Sequence, residues 1–287
     1  MPGTVLITGC SSPQGIGFAT ARALAEAGFS VHATVRDRTH VEDLLEDMGS
    51  RLDVHDMDLL DPASVGAAVA AITGEGGRLD VLVNNAGYGL IGGVEQVELD
   101  RARANFETNF FGTVGLVQEV LPIMRRQGGG LIVNVSTVFA AALCPPALGY
   151  YIASKAALET VCQALAVEAA PWGVRVVNFQ PGPVMTELER EWGARLVGDA
   201  DPRPTLSDEL YDWVLDDSAP AAQSPAEVAA ALCEVVRSGG PHLAAQSGAA
   251  AEAHVATALR DPSRDAELGD LSAAFARTLA ARGGRAR

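Results

Sequence analysis

Short apolar, β-branched runs alternate along this chain with longer stretches whose apolar positions recur at helical spacing. Val5–Thr8 reads as a strand and Gly15 to about Ala27 as a helix; Val31–Val35 is the next strand and Val41–Met48 its helix. Asp53–Met57 and Pro62–Ile72 repeat the pairing, and Val81–Val83 is a strand ending at Asn84. A long helical pattern from Asp100 to Arg126 leads to a strand at Leu131–Val135, a helix over Tyr151–Ala170 and a strand at Val174–Phe179. This rhythm predicts a doubly wound α/β fold: a parallel sheet with helices on both faces and right-handed crossovers. It breaks after Thr186. Glu187–Pro225 is rich in charge and proline, with Trp192, Tyr211 and Trp213, and predicts an insertion over a site rather than a second domain. A capping box follows, with Ser224 as N-cap, Pro225 at the first helical position and Glu227 reaching back. The Ala-rich C-terminal stretch predicts a surface helix and a frayed end. The expected organisation is one domain over 1–287: a core over 1–186, a lid over 187–225, and a C-terminal helix, strand and tail over 226–287.

Composition narrows the classes. Hydrophobic residues at 48% and charged residues at 20% describe a globular chain, not a disordered one. The net charge of -15 opposes binding to nucleic acid or an anionic membrane surface. No apolar run approaches the ~20 residues of a bilayer span, and the opening MPGTVLITG lacks the basic region and cleavage site of a signal peptide. Cys10, Cys144, Cys162 and Cys233 are scattered, which predicts free thiols and a cytoplasmic location. The histidines show no metal-site spacing, so no metal is expected.

Candidate chemistry begins at Gly9, Gly15 and Gly17, which lie between the first strand and the first helix. Glycines let a backbone approach a pyrophosphate closely, and a helix N-terminus adds free N–H groups and a favourable dipole. Ser11 and Ser12 add hydroxyl donors. A glycine turn alone is weak evidence, but this strand–loop–helix context is the one a dinucleotide site requires. Tyr151 and Lys155 lie four apart on a predicted helix and so share a face. A nearby ammonium lowers the pKa of a phenol, which suits Tyr151 to proton transfer with a carbonyl or alcohol oxygen. Tyr150 competes for the role, but four residues on from it stands Ser154.

TG…GIG, then Asn84-Asn85-Ala86-Gly87, then Tyr151-Ile-Ala-Ser-Lys155, in this order and spacing, resemble the short-chain dehydrogenase/reductase family. VHATVRD, NFFGT and PGPVMT resemble its 17β-hydroxysteroid-dehydrogenase-like branch. The resemblance covers residues 4 to about 190 and implies a Rossmann fold, a nicotinamide cofactor and hydride transfer. Gly9, Ser11, Ser12, Gly15, Ile16 and Gly17 match the phosphate loop, although five residues, Cys10 to Gln14, separate its first two glycines where the family has a shorter interval. Asp58 and Leu59 match the adenine-contacting pair, and Asn85, Ala86 and Gly87 the stretch beside the adenosine ribose. Val35 stands where an acidic residue would select NAD(H), and Arg36 follows it, which implies NADP(H); Asp37 is a nearby counter-charge.

The resemblance assigns Tyr151 as acid–base and Lys155 to the nicotinamide ribose. Asn109 takes the part of an asparagine that holds a helix kink and a proton-relay water; read alone, it is an exposed helix asparagine. The substrate-binding serine of the family falls on Thr137, with Ser136 as the fallback. Pro181, Gly182, Val184 and Thr186 match the segment that holds the nicotinamide carboxamide. Leu90, Ile91, Phe139, Leu143 and Leu148 predict an apolar pocket, hence a steroid-like, polyketide-like or retinoid-like ketone or secondary alcohol. The alternatives are a dehydratase, epimerase or double-bond reductase of the same family, or a non-catalytic NADP(H)-binding regulator. A homodimer or homotetramer through the helices bearing Asn109 and Tyr151 is implied, with Ala153, Ala156, Ala157, Ala164 and Ala166 available for close packing.

Overall fold

The computed structural model describes residues 3–36, 51–74, 77–184, 222–241 and 243–260, with scattered residues between 268 and 277. The predicted helix over Val41–Met48, Asp37, Thr186 and nearly all of the 187–225 lid lie outside the described residues. Seven parallel strands form one sheet in the order β3-β2-β1-β4-β5-β6-β7. They are β1 (Thr4–Ile7), β2 (Ser30–Val35), β3 (Leu52–Asp56), β4 (Val81–Asn84), β5 (Gly130–Val135), β6 (Val174–Gln180) and β7 (Ala244–Gln246). The order reverses between β1 and β4, the point where open α/β sheets leave a crevice at their carboxyl ends.

The helices are α1 (Ile16–Glu26), α2 (Pro62–Thr73), α3 (Leu99–Phe106), α4 (Thr113–Gln127), α5 (Gly149–Ala169), α6 (Pro225–Ser238) and α7 (Ala249–Arg260). Alternation along the strands gives each helix layer its own core. Val5, Ile7, Val31, Ala33, Val83 and Val133 pack with Leu24 of α1 and Leu232 of α6. Leu6, Leu82, Ile132 and Val176 point the other way, to α2, α4 and α5.

The capping box at α6 is present as predicted: the Glu227 N–H donates to Ser224 Oγ at 3.2 Å, and the Ser224 N–H donates to Glu227 at 2.7 Å. Two sequence expectations are corrected. The helical stretch from Asp100 to Arg126 is not continuous, because a π-helical turn at Glu107–Gly112 separates α3 from α4. Such turns concentrate at functional sites. Asn109 lies in this turn and is fully buried, so it is not an exposed helix asparagine. The strand content of the C-terminal part is β7, three residues long, added at the β6 edge in the register Asn178↔Ala244 to Gln180↔Gln246.

Candidate active site

The crevice at the β1/β4 switch point has a floor tied together by Asn85. Its Nδ2 donates to the carbonyls of Thr8 (2.8 Å) and Gly9 (3.1 Å). The Asn85 and Ala86 N–H groups donate to Thr8 Oγ1 at 3.0 and 2.9 Å. Gly9 has φ +74°, and a Cβ there would lie 2.7 Å from Ala86 Cα, so only glycine lets the two loops touch. Within the five-residue interval Cys10 to Gln14, Pro13 and Gln14 lie in a turn closed by the Gly15 N–H donating to the Ser12 carbonyl at 2.9 Å. Helix α1 then opens at Gly15 without a side-chain cap and without an acidic residue in its first turn. Its N–H groups and dipole therefore suit an anion. This cradle fits the pyrophosphate of a dinucleotide.

The other predicted loop residues separate by environment. Ser11 is exposed and Ile16 is partly packed on the core. Arg36 is exposed just past the end of β2. Asp58 Oδ1 accepts from the Leu60 N–H at 2.9 Å, and Leu59 packs on the layer beneath α4. Pro181 and Gly182 follow β6: the Pro181 carbonyl accepts from the Val138 N–H at 3.0 Å, and the Gly182 N–H donates to Ser247 Oγ at 3.3 Å. Val184 bridges to Gln223.

Three of the four proposed catalytic residues meet on α5 and the π turn. Lys155 is buried, and its Nζ donates to the Val135 carbonyl at 2.9 Å. A Cβ on Gly87 would lie 2.9 Å from Asn109 Oδ1 and 3.3 Å from Lys155 Nζ, which places both groups beside the NNAG loop. Asn109 Oδ1 accepts from the Tyr88 N–H (3.0 Å), while its Nδ2 donates to the Tyr88 carbonyl (3.0 Å) and to Ser154 Oγ (3.1 Å). Ser154 Oγ in turn donates to the Tyr151 carbonyl at 2.6 Å. The π turn and the first turn of α5 are thus pinned together, with Tyr151 partly exposed one turn ahead of Lys155. Tyr150 is spent elsewhere, donating to the Val94 carbonyl at 3.3 Å.

Ser136 and Thr137 go different ways. Ser136 continues the α5-facing series of Ile132 and Asn134 and is buried beside the Glu159 carboxylate, whose charged form it favours; its Oγ stands outside good hydrogen-bonding geometry. Thr137 leaves the strand and caps the short 3₁₀ turn Val138–Ala140, its Oγ1 accepting from the Phe139 N–H at 3.4 Å. Of the apolar loop residues, Leu90, Ile91 and Leu148 are buried, and the two loops join through the Gly92 N–H on the Ala147 carbonyl at 2.9 Å. Phe139 packs on Val255 of α7 and edge-on to His254.

Sequence reasoning missed Asn105, Ser154, Glu159 and Gln180. Asn105 Nδ2 donates to the Tyr88 carbonyl at 2.9 Å, doubling the Asn109 clamp. Both oxygens of the buried Glu159 accept from Gln180 Nε2, at 2.9 and 3.0 Å. Burial pushes the Lys155 ammonium down to about 8 while Glu159 pulls it up. Burial pushes the Glu159 carboxyl up, opposed by Ser136, Gln180 and Lys155. The one available signal was spacing: Glu159 stands one helical turn beyond Lys155.

A family model described as short chain dehydrogenase matches residues 3–196. The chain is 36% identical over 269 residues to retinol dehydrogenase 8 of Homo sapiens, covering 86% of this chain and 81% of that protein. It is 36% identical over 258 residues to 17-beta-hydroxysteroid dehydrogenase type 1 of Mus musculus, covering 84% of this chain and 72% of that protein. Among solved structures, a short chain dehydrogenase/reductase from Burkholderia phymatum in complex with NAD matches with TM-score 0.78 and 26% identity, covering 93% of this chain and 95% of that one. A short chain dehydrogenase from Burkholderia cenocepacia J2315 in complex with NADP matches with TM-score 0.72 and 26% identity, covering 94% and 97%.

Proposed function

The chain belongs to the short-chain dehydrogenase/reductase family, in its 17β-hydroxysteroid-dehydrogenase-like branch, and from that premise we propose an NADP(H)-dependent ketoreductase or alcohol dehydrogenase for a hydrophobic, polycyclic ketone or secondary alcohol. The observation that carries this reading is the meeting of Lys155, Asn109 and the first turn of α5 beside Gly87, next to an uncapped helix N-terminus. When bound, the dinucleotide supplies or accepts the hydride.

Tyr151 gives a proton to the carbonyl oxygen in reduction and takes one from the alcohol in oxidation. Lys155 favours the phenolate and holds the nicotinamide ribose. Asn109 keeps the helix kink and so the placement of α5. Thr137 hydrogen-bonds the substrate oxygen, a choice supported by Ser136 being turned toward Glu159. Pro181, Gly182, Val184 and Thr186 hold the carboxamide. Arg36, exposed at the end of β2 with no acidic residue at Val35, supports the 2′-phosphate of NADP(H).

The segment 187–225 is read as the lid over the substrate. Val161 and Val167 on α5 and Phe111 on the π turn are exposed, as are Ala153 and Ala164, while Ala156 and Ala157 are half-buried and Ala166 packs partly on the core. The exposed positions support a homodimer or homotetramer through these helices. No helix among the described residues is long and apolar enough to cross a membrane. Cys10, Cys162 and Cys233 are buried free thiols, which supports the cytoplasmic placement.

Polycyclic ketones screened by NADPH absorbance test the reading. Oxidation of NADPH with conversion of ketone to alcohol is expected, with kcat/KM for NADPH about tenfold or more above that for NADH, the scale of one charge-assisted hydrogen bond. Equal or better efficiency with NADH overturns the NADP(H) preference. A product that keeps its carbonyl while its skeleton is reduced or rearranged overturns the reaction class.

A further inference from the structure

We propose that Glu159 is a positioning residue of this active site: its buried carboxylate, gripped by the Gln180 amide one helical turn from Lys155 on the same buried side of α5, is the counter-charge of the Lys155 ammonium, which itself is seated on the Val135 carbonyl. The inference rests on the reading of Lys155 given above. Glu159 is only 7% exposed and stands on the sheet-facing side of α5. A buried carboxylate is costly unless it is hydrogen-bonded and has an opposite charge nearby. The strands supply the hydrogen bonds. Gln180 Nε2 serves both carboxylate oxygens, Gln180 Oε1 accepts from Gln246 Nε2 at 2.6 Å, and Asn178 Nδ2 donates to the Glu159 backbone carbonyl at 3.4 Å.

The strands supply no cation. Facing Glu159 from β6 and the end of β5 are the neutral Asn178, Gln180 and Ser136; on α5 the ionisable partners are Lys155 and Cys162. Burial, together with the Glu159 charge, pushes the Cys162 thiol up to about 12, so it stays neutral. Among the described residues the opposite charge is therefore Lys155. Without Glu159 the buried ammonium would give up its proton nearer to neutral pH, and with it the charge that favours the Tyr151 phenolate.

The network also runs past Gln180. Gln246 adjoins Ser247, which accepts from the Gly182 N–H and donates to Gln223 Oε1, and Gln223 Nε2 returns a bond to the Ser247 carbonyl at 2.8 Å. A polar network thus runs from the Glu159 carboxylate through Gln180 and Gln246 to the Pro181-Gly182 segment.

The test is the pH dependence of NADPH binding, followed by fluorescence from neutral to alkaline pH, beside the pH profile of kcat/KM. In Glu159→Gln the alkaline loss of binding should begin about one pH unit lower than in the wild type, with the kcat/KM limb moving alike. Glu159→Asp keeps the charge and should restore the wild-type limb. If Glu159→Gln does not fold, Gln180→Leu strips the carboxylate of its donors, favours its neutral form and should shift the limb the same way. Limbs that superimpose on the wild type, or an aspartate that shifts as far as glutamine, overturn the proposal. A wild type that binds NADPH but reduces no ketone sinks the ketoreductase reading and leaves the binding limb to judge Glu159. A wild type that binds no NADPH overturns both.

Discussion

The two faces of the sheet are built differently. The face under α1 and α6 is dry: Val5, Ile7, Val31, Val83, Val133 and Phe179 meet Leu24, Val228 and Leu232, all fully buried. The face under α5 starts apolar at Leu82, Ile132 and Val176 and turns polar toward the carboxyl ends of the strands. There Asn84, Asn134 and Asn178 stand in register across β4, β5 and β6, followed by Ser136 and Gln180. Asn84 Nδ2 donates to Asn134 Oδ1 at 2.8 Å, and Asn134 Nδ2 reaches Cys162 Sγ at 3.0 Å. Among the described residues Asn84 Oδ1 and Asn178 Oδ1 make no hydrogen bond, and Ser136 Oγ lies beside Glu159 outside good hydrogen-bonding geometry. An apolar face stabilises without much regard to helix register, whereas a polar layer fixes register and forfeits stability wherever it is incompletely paired. The first face holds the fold together; the second holds α5, and so Tyr151 and Lys155, in one place.

That division can be broken from either side. Leu24→Ala on the dry face should lower unfolding stability by about 2–5 kcal/mol, measured by denaturant titration, with the pH profile of activity unchanged. A shifted profile would show that the faces are not independent. Asn134→Ala on the polar face leaves Asn84 Nδ2 without its acceptor and should cost about 1–3 kcal/mol. It should also reduce kcat by more than Leu24→Ala does, measured under conditions where both variants are folded; the reverse order would contradict the assignment.

The smallest effect lies at the outer edge of the same polar face. His32 Nδ1 and His55 Nε2 are 3.0 Å apart, and burial first, then His55, push the His32 imidazole below its ordinary value of 6.5, with Asp53 opposing. The folded state therefore binds fewer protons than the unfolded chain just below pH 6.5, so stability falls as the pH drops through that window. Thermal melts of His32→Gln should show a shallower acid loss than the wild type; equal slopes would remove His32 from the account.

Much of this was legible in the sequence because it is local. The glycine loop, the strand–helix alternation, the Ser224 capping box and the Tyr151/Lys155 spacing each depend on residues a few positions apart. The resemblance pointed to a kink at Asn109, but the periodicity did not show the π turn, since one wider turn leaves an apolar helical pattern almost intact; the buried Asn105 and Asn109 mark it only through their shared bonds to the Tyr88 carbonyl. Strand β7, Ala-Ala-Gln, carries no β-branched residue, and it exists because the β6 edge offers a partner. The place of Glu159 was hidden because Gln180, on a strand remote in sequence, holds its carboxylate and is itself bound by Gln246.

The central claim, that the polar face exists to place a proton donor beside a bound nicotinamide, is tested most directly with Tyr151→Phe. The substitution removes one hydroxyl from a partly exposed position. Measured together with melting temperature and NADPH Kd, kcat for ketone reduction should fall by about 10²- to 10⁴-fold while the other two stay at wild-type values. Turnover retained within a few-fold of the wild type would contradict the account.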